Sequence, residues 1–386
     1  MPSQLLHTLF GEDVIIEINR RVEGRTGMDP VNALGKIPET HKKVFALGCQ
    51  GPDIFYHSQR RRPVGLEYGT LLHRRGAGTF TAGLLKLGLP AFHAETVIGR
   101  EAAPPLPEKK QAPRDRRRKR INVLGAYALG FMTHAILDRL AHPYIVYKSD
   151  RPPPETSRRD RSHAFFERII DTLMFRHLRG AEISEWDQNG LLAEVCENPP
   201  LGLKELLARA LVQAFPERAG KDEKLVLRVE NTFLDCEWFY RRTAPGLIDP
   251  EIFAELSLGS GAAQTDNRQK GFVAYLYPEN LPSKIDFLNL EKRPWYHPAG
   301  EEKEDHRSFP EIYTEAVNAA ADSLTGIIAR YYEEGAFPIE EAVWAIGNGG
   351  LSIVDENGKP CAPLRSSPLP LQEVLDGQIA LRGLNN

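Results

Sequence analysis

Residues 122–142 read NVLGAYALGFMTHAILDRLAH, and the rest of the chain is organised around them. Its nearly unbroken apolar character predicts one long helix that is largely buried. His134, Asp138 and His142 follow one another at steps of four, which places them along one side of that helix. The outer histidines stand about 12 Å apart along the axis, so a single metal ion cannot bind both. Asp138 lies midway and has two oxygens. The spacing therefore favours a row of two or three ions, a type of site suited to hydrolysis of phosphate esters.

Two other interpretations of this stretch stay open at the level of sequence. Residues 121–137 are mostly apolar and follow a basic run at residues 114–120, as a membrane span would. Asn122 and His134 interrupt the apolar run, which disfavours a span. The histidines could instead be core residues without a metal. With 11 His and 52 Asp and Glu in 386 residues, however, chance alone produces such a triple well under once.

The composition indicates a soluble globular protein. A hydrophobic content of 41% in 386 residues can build a sizeable core, and the length allows two domains. The net charge of −3 gives no global attraction to polyanions, so no specific nucleic-acid binding is expected. The first residues, MPSQLLHTLFGED, lack the features of a secretory signal, which predicts a cytoplasmic protein. Four scattered cysteines without a CxxC pair indicate reduced thiols rather than a cysteine–zinc site.

Helical periodicity organises the first part of the chain. A helix is predicted at residues 4–21 with Gly11 as a break point, and a short helix at residues 41–47. The GPD sequence that follows predicts a turn that fixes the direction of Asp53. The next helix is expected to run from Tyr68 without interruption to about residue 87 and to carry His73.

Proline marks the boundaries in the middle of the chain. Residues 94–120 combine prolines with a basic run, which predicts an exposed, mobile insertion. Pro143 predicts that the central helix ends near His142, because the residue before proline disfavours the α conformation. A second loop rich in Pro and Arg leads to a helix on which His163 and Glu167 lie one turn apart.

Three regions are predicted from these patterns. Residues 1–180 contain the candidate metal ligands and form the first domain. Residues 181–345 form a mainly helical second region. Residues 346–386 form a short hairpin, with Asn357-Gly358 as its turn, and a loosely attached tail.

The metal-ligating residue types concentrate in the first ~170 positions. They are His7, Asp53, His73, His134, Asp138, His142, His163 and Glu167. In this order the residues resemble the zinc-dependent phospholipase C family, whose fold is shared with the S1/P1-type nucleases. The resemblance rests on His7 near the start, GPD ending at Asp53, His73 on the following helix, the THAILDRLAHP segment and His163-x3-Glu167, and covers about residues 1–175. It implies an all-α, multihelical phospholipase C/P1 nuclease-like metal-binding domain, followed here by a mainly helical C-terminal half.

The resemblance also implies how these residues share two or three Zn²⁺ ions. One ion would be bound by Asp53, His73, His134 and Asp138. A second would be bound, with a place left for water, by His142, His163 and Glu167. Asp138 would bridge to a third ion held by His7 and by the chain's own amino terminus. Secreted members of the family begin with tryptophan, whereas this sequence begins Met1-Pro2. Asp53 would also act in catalysis, as the acceptor of a proton from the attacking water.

The function implied is that of a zinc-dependent phosphodiester hydrolase. The expected enzyme is a phospholipase C that cleaves a glycerophospholipid to diacylglycerol and a phosphorylated head group. The alternatives are an S1/P1-like nuclease or nucleotidase, and a catalytically silent zinc-binding scaffold. Basic residues in the flanking loops could steer a phosphodiester, or an anionic membrane surface in peripheral contact, toward the metals. These are Arg60, Arg61, Arg62, Arg114, Arg116, Arg117, Arg118, Lys119, Arg120, Arg158, Arg159 and Arg161.

Overall fold

The chain is helical through most of its described length. The computed structural model describes residues 4–22, 37–98, 108–152, 161–246, 271–300, 303–334 and 337–383. The helices are α1 (Gln4–Val22), α2 (Ile37–Cys49), α3 (Ile54–His57), α4 (Leu66–Arg74), α5 (Ala77–Ile98), α6 (Glu108–Ser149), α7 (Ser162–Arg179), α8 (Gln188–Glu197), α9 (Leu203–Ala214), α10 (Pro216–Ala219), α11 (Leu225–Arg242), α12 (Phe309–Glu334), α13 (Ile339–Ile346) and α14 (Leu371–Leu381). Two short 3-10 turns, Gly51–Asp53 and Ile183–Glu185, and one antiparallel strand pair, β1 (Trp295–Tyr296) and β2 (Glu304–Asp305), complete it. The prediction of an all-α fold is confirmed.

Helix α6 is the centre of the molecule. It packs against α5, α2 and α12. Tyr127, Phe131 and Tyr144 on this helix are completely buried, in agreement with the all-round apolar sequence that predicted a core helix. Among the described helices, none combines the length and apolar character that crossing a bilayer requires.

The predicted end of this helix at His142 is wrong. Helix α6 continues through Pro143 to Ser149. Proline removes one backbone hydrogen bond, to the carbonyl of Arg139 four residues earlier. The residues beyond it, including Tyr144 and Ile145, are buried, so packing of the last turns outweighs that local loss.

The insertion predicted at residues 94–120 is also largely helical. Helix α5 extends to Ile98 and α6 begins at Glu108, so only residues 99–107 lie outside the described part of this segment. The basic run at residues 114–120 is therefore the first part of the central helix rather than an irregular loop. Arginine and lysine are good helix formers, and the apolar stretch that follows them favours extension of the same helix.

Two glycines behave differently from the sequence prediction. Gly11 does not break α1, which is continuous. Instead, a Cβ atom there would lie 2.4 Å from Cys49 Sγ, so glycine lets α2 approach closely. The helix expected to run on from Tyr68 is interrupted at Gly76, whose φ of +74° favours glycine. His73 therefore lies in the last turn of a separate helix, α4.

The C-terminal segment is partly as predicted. Val354 pairs with Pro360 around a turn in which Gly358 has a φ of +72°. The expectation of a loosely attached tail is wrong, because α14 buries Leu371, Leu375 and Ile379 and packs on α7. The domain boundaries at residues 180 and 345 stay predictions.

Candidate metal centre

Helix α6 presents three of the eight candidate ligands from its buried surface. His134, Asp138 and His142 are at most 7% exposed. Asp138 lies between the two histidines: its Oδ2 atom is 3.1 Å from His134 Nε2 and its Oδ1 atom is 3.5 Å from His142 Nδ1. The i, i+4 spacing in the sequence thus becomes a continuous row of ligand atoms.

Close packing of α2 against α6 places the next ligand. A Cβ atom on Gly48 would lie 2.2 Å from Tyr127 O, and one on Gly130 would lie 2.3 Å from Phe45 O, so these glycines allow the two backbones to touch. The turn after α2 then lies against His134. Gly51 has a φ of +56°, and a Cβ there would be 2.3 Å from the imidazole ring of His134. The 3-10 turn that begins at Gly51 ends at Asp53, which is buried.

Asp53, His73 and His134 form one candidate metal group. His73 Nε2 lies 2.9 Å from Asp53 Oδ1, and His134 Nε2 lies 3.7 Å from Asp53 Oδ2. Asp138 adjoins this group, since its Oδ2 atom is 3.7 Å from His73 Nε2. Four side chains from the turn, α4 and α6 therefore converge.

His7, His134 and Asp138 form a second group. His7 Nε2 lies 3.2 Å from Asp138 Oδ1, and the His7 ring stacks on the His134 ring with centroids 3.9 Å apart. His134 and Asp138 thus belong to the surroundings of two neighbouring positions.

His142, His163 and Glu167 form a third group at the other end of the row. Glu167 Oε1 lies 3.5 Å from His142 Nε2 and 3.3 Å from His163 Nε2. His163 is the most accessible of these ligands, with its side chain 25% exposed. The structure brings all eight predicted residues together, while their assignment as zinc ligands stays a prediction.

Four of the five histidines are oriented through their second ring nitrogen. The Nδ1 atoms of His73 and His134 lie 2.8 and 3.0 Å from the carbonyl oxygens of Gly69 and Cys49, respectively. Their Nε2 atoms are thereby directed into the cluster. Metal-binding histidines characteristically donate their other N–H to a carbonyl or carboxylate, which fixes the tautomer and the ring direction.

The sequence analysis missed these carbonyls, and it also missed the orienting partners of His163 and His142. His163 Nδ1 lies 2.8 Å from Asp150 Oδ1, just past the end of α6. His142 Nδ1 lies 3.3 Å from the carbonyl oxygen of Leu351, and the Leu351 N–H donates to the carbonyl of His73. Because the sequence predicted that the central helix ends near His142, no signal in the sequence pointed to Asp150, which follows the observed end at Ser149. No sequence signal marks Leu351, because it acts through its backbone.

The electrostatics of the cluster depend on the balance between burial and opposite charge. Burial disfavours the imidazolium of His134, but the carboxylates of Asp138 and Asp53 outweigh burial and raise its pKa to about 9. In the same way Asp150 and Glu167 raise the pKa of His163 to about 10 against the effect of burial. For His7, burial and the neighbouring His134 lower the pKa. Burial alone would raise the pKa of Asp138, yet His142 and His134 hold it well below its usual value.

The donor atoms fit a group of metal ions. His134 Nε2 and Asp138 Oδ2 are buried and have no hydrogen-bond partner within the described residues, although they are close together. A metal ion would satisfy both, since neutral imidazole and carboxylate are common zinc ligands. A cavity of about 20 Å³ lies beside His7, Asp138, His142 and Glu167, a space for about one water molecule or ion. This donor set is the mixture of nitrogen and oxygen ligands that suits Zn²⁺.

Comparison with known proteins supplies the family. Residues 25–211 match the family described as zinc dependent phospholipase C. This part of the chain is similar to the zinc-dependent phospholipase C family. The resemblance noted in the sequence is therefore confirmed. Neither a curated protein nor a solved structure matches the chain significantly.

The match to the zinc-dependent phospholipase C family includes seven of the eight candidate ligands. His7, on α1, precedes the matched residues, and Leu351 follows them. Parts of the chain outside the match therefore contribute to the same cluster. Zinc is the metal that this family implies, and the number of ions stays a prediction.

The three residues after Asp53 and the predicted basic residues lie in different surroundings. Phe55 and His57 are buried, the latter stacked on Phe239, whereas the Tyr56 ring lies 4.8 Å from the His73 ring. Arg61 forms an ion pair with Asp235. The side chains of the basic run at residues 114–120, and residues 158 and 159, lie outside the described part of the structure.

Proposed function

We propose that this protein is a phospholipase C of the zinc-dependent type, which hydrolyses a glycerophospholipid to diacylglycerol and a phosphorylated head group. The observation that supports the proposal is the convergence of three ligand groups along α6. The group of His142, His163 and Glu167 supplies three protein ligands. In catalytic zinc sites this number leaves a coordination position for water or substrate.

The protein side chains would have distinct roles in this reaction. Bound zinc supplies Lewis-acid activation of the phosphoryl oxygens and of the attacking water. Asp53 is the proposed proton acceptor. Burial favours its neutral acid, but His134 and His73 outweigh burial and lower its pKa, so it is present as the carboxylate. Tyr56, beside His73, would contact the substrate at the side of the cluster where His73 is partly exposed.

The test is an assay of the zinc-loaded protein on three substrates: phosphatidylcholine, single-stranded DNA and a generic phosphodiester. We expect diacylglycerol and phosphocholine from phosphatidylcholine, detected by mass spectrometry, and loss of both products after chelation. Asp53→Asn should lose most of the turnover even when zinc is supplied in excess. Cleavage of DNA with phosphatidylcholine untouched would favour the S1/P1-like nuclease.

A specific observation favours a second candidate, a zinc-binding scaffold without turnover. The cavity of about 20 Å³ is far smaller than a phospholipid head group, and most of the ligands are buried. Closed coordination is typical of structural zinc sites. Full zinc content without activity on any of the three substrates would support the scaffold and contradict the phospholipase.

A further inference from the structure

His7 differs from the other four histidines of the metal centre. Its Nδ1 atom is buried and has no hydrogen-bond partner within the described residues, whereas the others lie within 3.3 Å of an acceptor. Apart from the stack on His134 and the 3.2 Å contact of its Nε2 atom with Asp138 Oδ1, the position of His7 must therefore be set by the backbone of α1.

Asp171 holds that backbone. It lies on α7, one turn after Glu167, and is almost completely buried. Its Oδ1 atom accepts a hydrogen bond of 2.9 Å from the N–H of Leu6, and its Oδ2 atom accepts one of 3.3 Å from the N–H of Leu5. These N–H groups belong to the first turn of α1, where no helical carbonyl is available, and a carboxylate is favourable at that end of a helix. His7 is the next residue.

The carboxylate is itself fixed by two buried side chains. Tyr277 donates its hydroxyl to Asp171 Oδ2 at 3.2 Å, and Arg168 Nη1 lies 3.5 Å from the same oxygen. Arg168 also donates to the Tyr277 hydroxyl at 2.8 Å. Asp171 therefore has little freedom to move relative to α7, the helix that carries His163 and Glu167.

We propose that Asp171 is a positioning residue of the metal centre: through the first turn of α1 it sets His7 against Asp138. It replaces, at the level of the backbone, the orienting hydrogen bond that His7 lacks. This inference rests on the proposed zinc centre. It adds that one helix, α7, carries both Asp171, which positions His7 at one ion, and the ligands His163 and Glu167 of another.

A merely structural role for Asp171 makes a different prediction, and the chain offers a matched control. Asp235 is also fully buried and accepts backbone hydrogen bonds of 2.9 and 3.2 Å, from Arg60 and Arg61, together with a 3.0 Å bond from the Arg61 guanidinium. Its partners lie outside the three ligand groups. Asp171→Asn and Asp235→Asn thus remove the same kind of interaction at different places.

The experiment measures zinc binding rather than activity. Zinc per chain is determined by elemental analysis at fixed free zinc, and affinity by competition with a chromophoric chelator, for wild type, both Asn variants and His7→Ala. We expect Asp171→Asn to weaken binding of the ion beside His7 and Asp138 by about 10- to 100-fold, as outer-shell substitutions do. His7→Ala should lose the same ion, the double variant should lose no more, and Asp235→Asn should bind zinc as wild type does.

Several outcomes would overturn the inference. Wild-type zinc affinity in Asp171→Asn, or an equal loss in Asp235→Asn, would reduce Asp171 to a structural residue. Unchanged zinc binding by His7→Ala would also overturn it, because no ion would then depend on His7. If Asp171→Asn fails to fold, Tyr277→Phe removes one hydrogen bond to the carboxylate and should weaken the same ion about 3- to 10-fold. Absence of zinc binding by wild type would contradict the proposed function itself.

Discussion

Asp138 is the residue on which the candidate metal centre depends most. Its two oxygens lie within 3.7 Å of ring nitrogens of His7, His73, His134 and His142. Glu167, by comparison, contacts only His142 and His163 among the candidate histidines. The two carboxylates therefore differ in how many ion positions they adjoin, although both are buried acids on helices.

We expect Asp138→Asn to lose more than one zinc ion per chain, because this carboxylate belongs to the group with His7 and lies within 3.7 Å of His73 in the Asp53 group. Glu167→Gln is the matched control and should lose a single ion, since it removes one charge from one group. Elemental analysis of the purified proteins after dialysis at equal free zinc measures both. Equal losses in the two variants would contradict a bridging role for Asp138.

His57 is a buried histidine outside the cluster and predicts an acid sensitivity. Burial lowers its pKa from 6.5 to about 3, and its ring stacks on Phe239 at 4.0 Å. Because the folded pKa lies below the unfolded one, the unfolded chain binds an extra proton between these values. The contribution of the buried, neutral His57 to the free energy of unfolding is therefore complete above pH 6.5. It is lost as the pH falls toward 3, by about 1.4 kcal/mol per pH unit.

Replacing His57 by phenylalanine should remove that dependence while preserving the aromatic stack. Urea unfolding of the metal-free proteins near pH 7.5 and near pH 4.5 measures it, with chelator present so that zinc does not contribute. The wild type should lose roughly 2 to 3 kcal/mol more than His57→Phe between the two conditions. Parallel losses in the two proteins would mean that His57 is solvated or protonated in the folded state.

At the scale of elements, the contact between α2 and α6 positions both Asp53 and His134. Gly48 and Gly130 face the opposite backbone at distances that no Cβ atom tolerates. The same contact brings the carbonyl of Cys49 within 3.0 Å of His134 Nδ1. Helix packing and ligand orientation are thus set by one close approach.

Gly130→Ala should therefore disturb stability and metal binding together. Its Cβ would meet Phe45 O at 2.3 Å and Cys49 N at 2.8 Å, both backbone atoms that cannot rotate away. We expect a loss of about 1 to 3 kcal/mol in urea unfolding, as for other overpacked cores, and weaker zinc binding. Gly377→Ala, on α14 with open space around it, should instead be neutral or stabilising by up to about 1 kcal/mol. Normal stability of Gly130→Ala would show that the helices separate without penalty.

At the scale of the whole molecule, local periodicity predicted which residues lie together better than it predicted where the helices end. His134, Asp138 and His142 lie on one helix, so their proximity follows from helical spacing alone. The continuation of α6 past Pro143 could not be predicted in this way, because it depends on the burial of Tyr144 and Ile145 by distant elements.

The contacts that complete the centre are long-range for the same reason. Asp171 binds the N–H of Leu6 across 165 residues, and the Leu351 carbonyl reaches His142 across 209. Neither partner has a residue type or spacing that marks it in the sequence. The candidate site could thus be predicted as a set of ligands, whereas the residues that orient those ligands required the fold.

The assembled centre predicts that zinc binding releases protons. In the metal-free protein the pKa of His134 is raised to about 9 and that of His163 to about 10, so both are protonated near pH 7. Zinc binds neutral imidazole. Binding of zinc to His134 and to His163 should therefore release about two protons. Because the metal-free folded state holds these protons, zinc affinity should rise with pH, about tenfold per pH unit for each proton released, and level off above pH 9 to 10.

Isothermal titration calorimetry in two buffers of different ionisation enthalpy counts the released protons directly. His163→Asn is the control, because it removes one of the two titrating groups and should reduce the count by about one while leaving His134 in place. Asp150→Asn tests the cause of the raised pKa, since loss of the carboxylate beside His163 Nδ1 should let that proton leave before zinc arrives. Zinc binding without proton release, at an affinity constant between pH 6 and 8, would mean that the imidazoles are already neutral and that the carboxylates do not hold them charged.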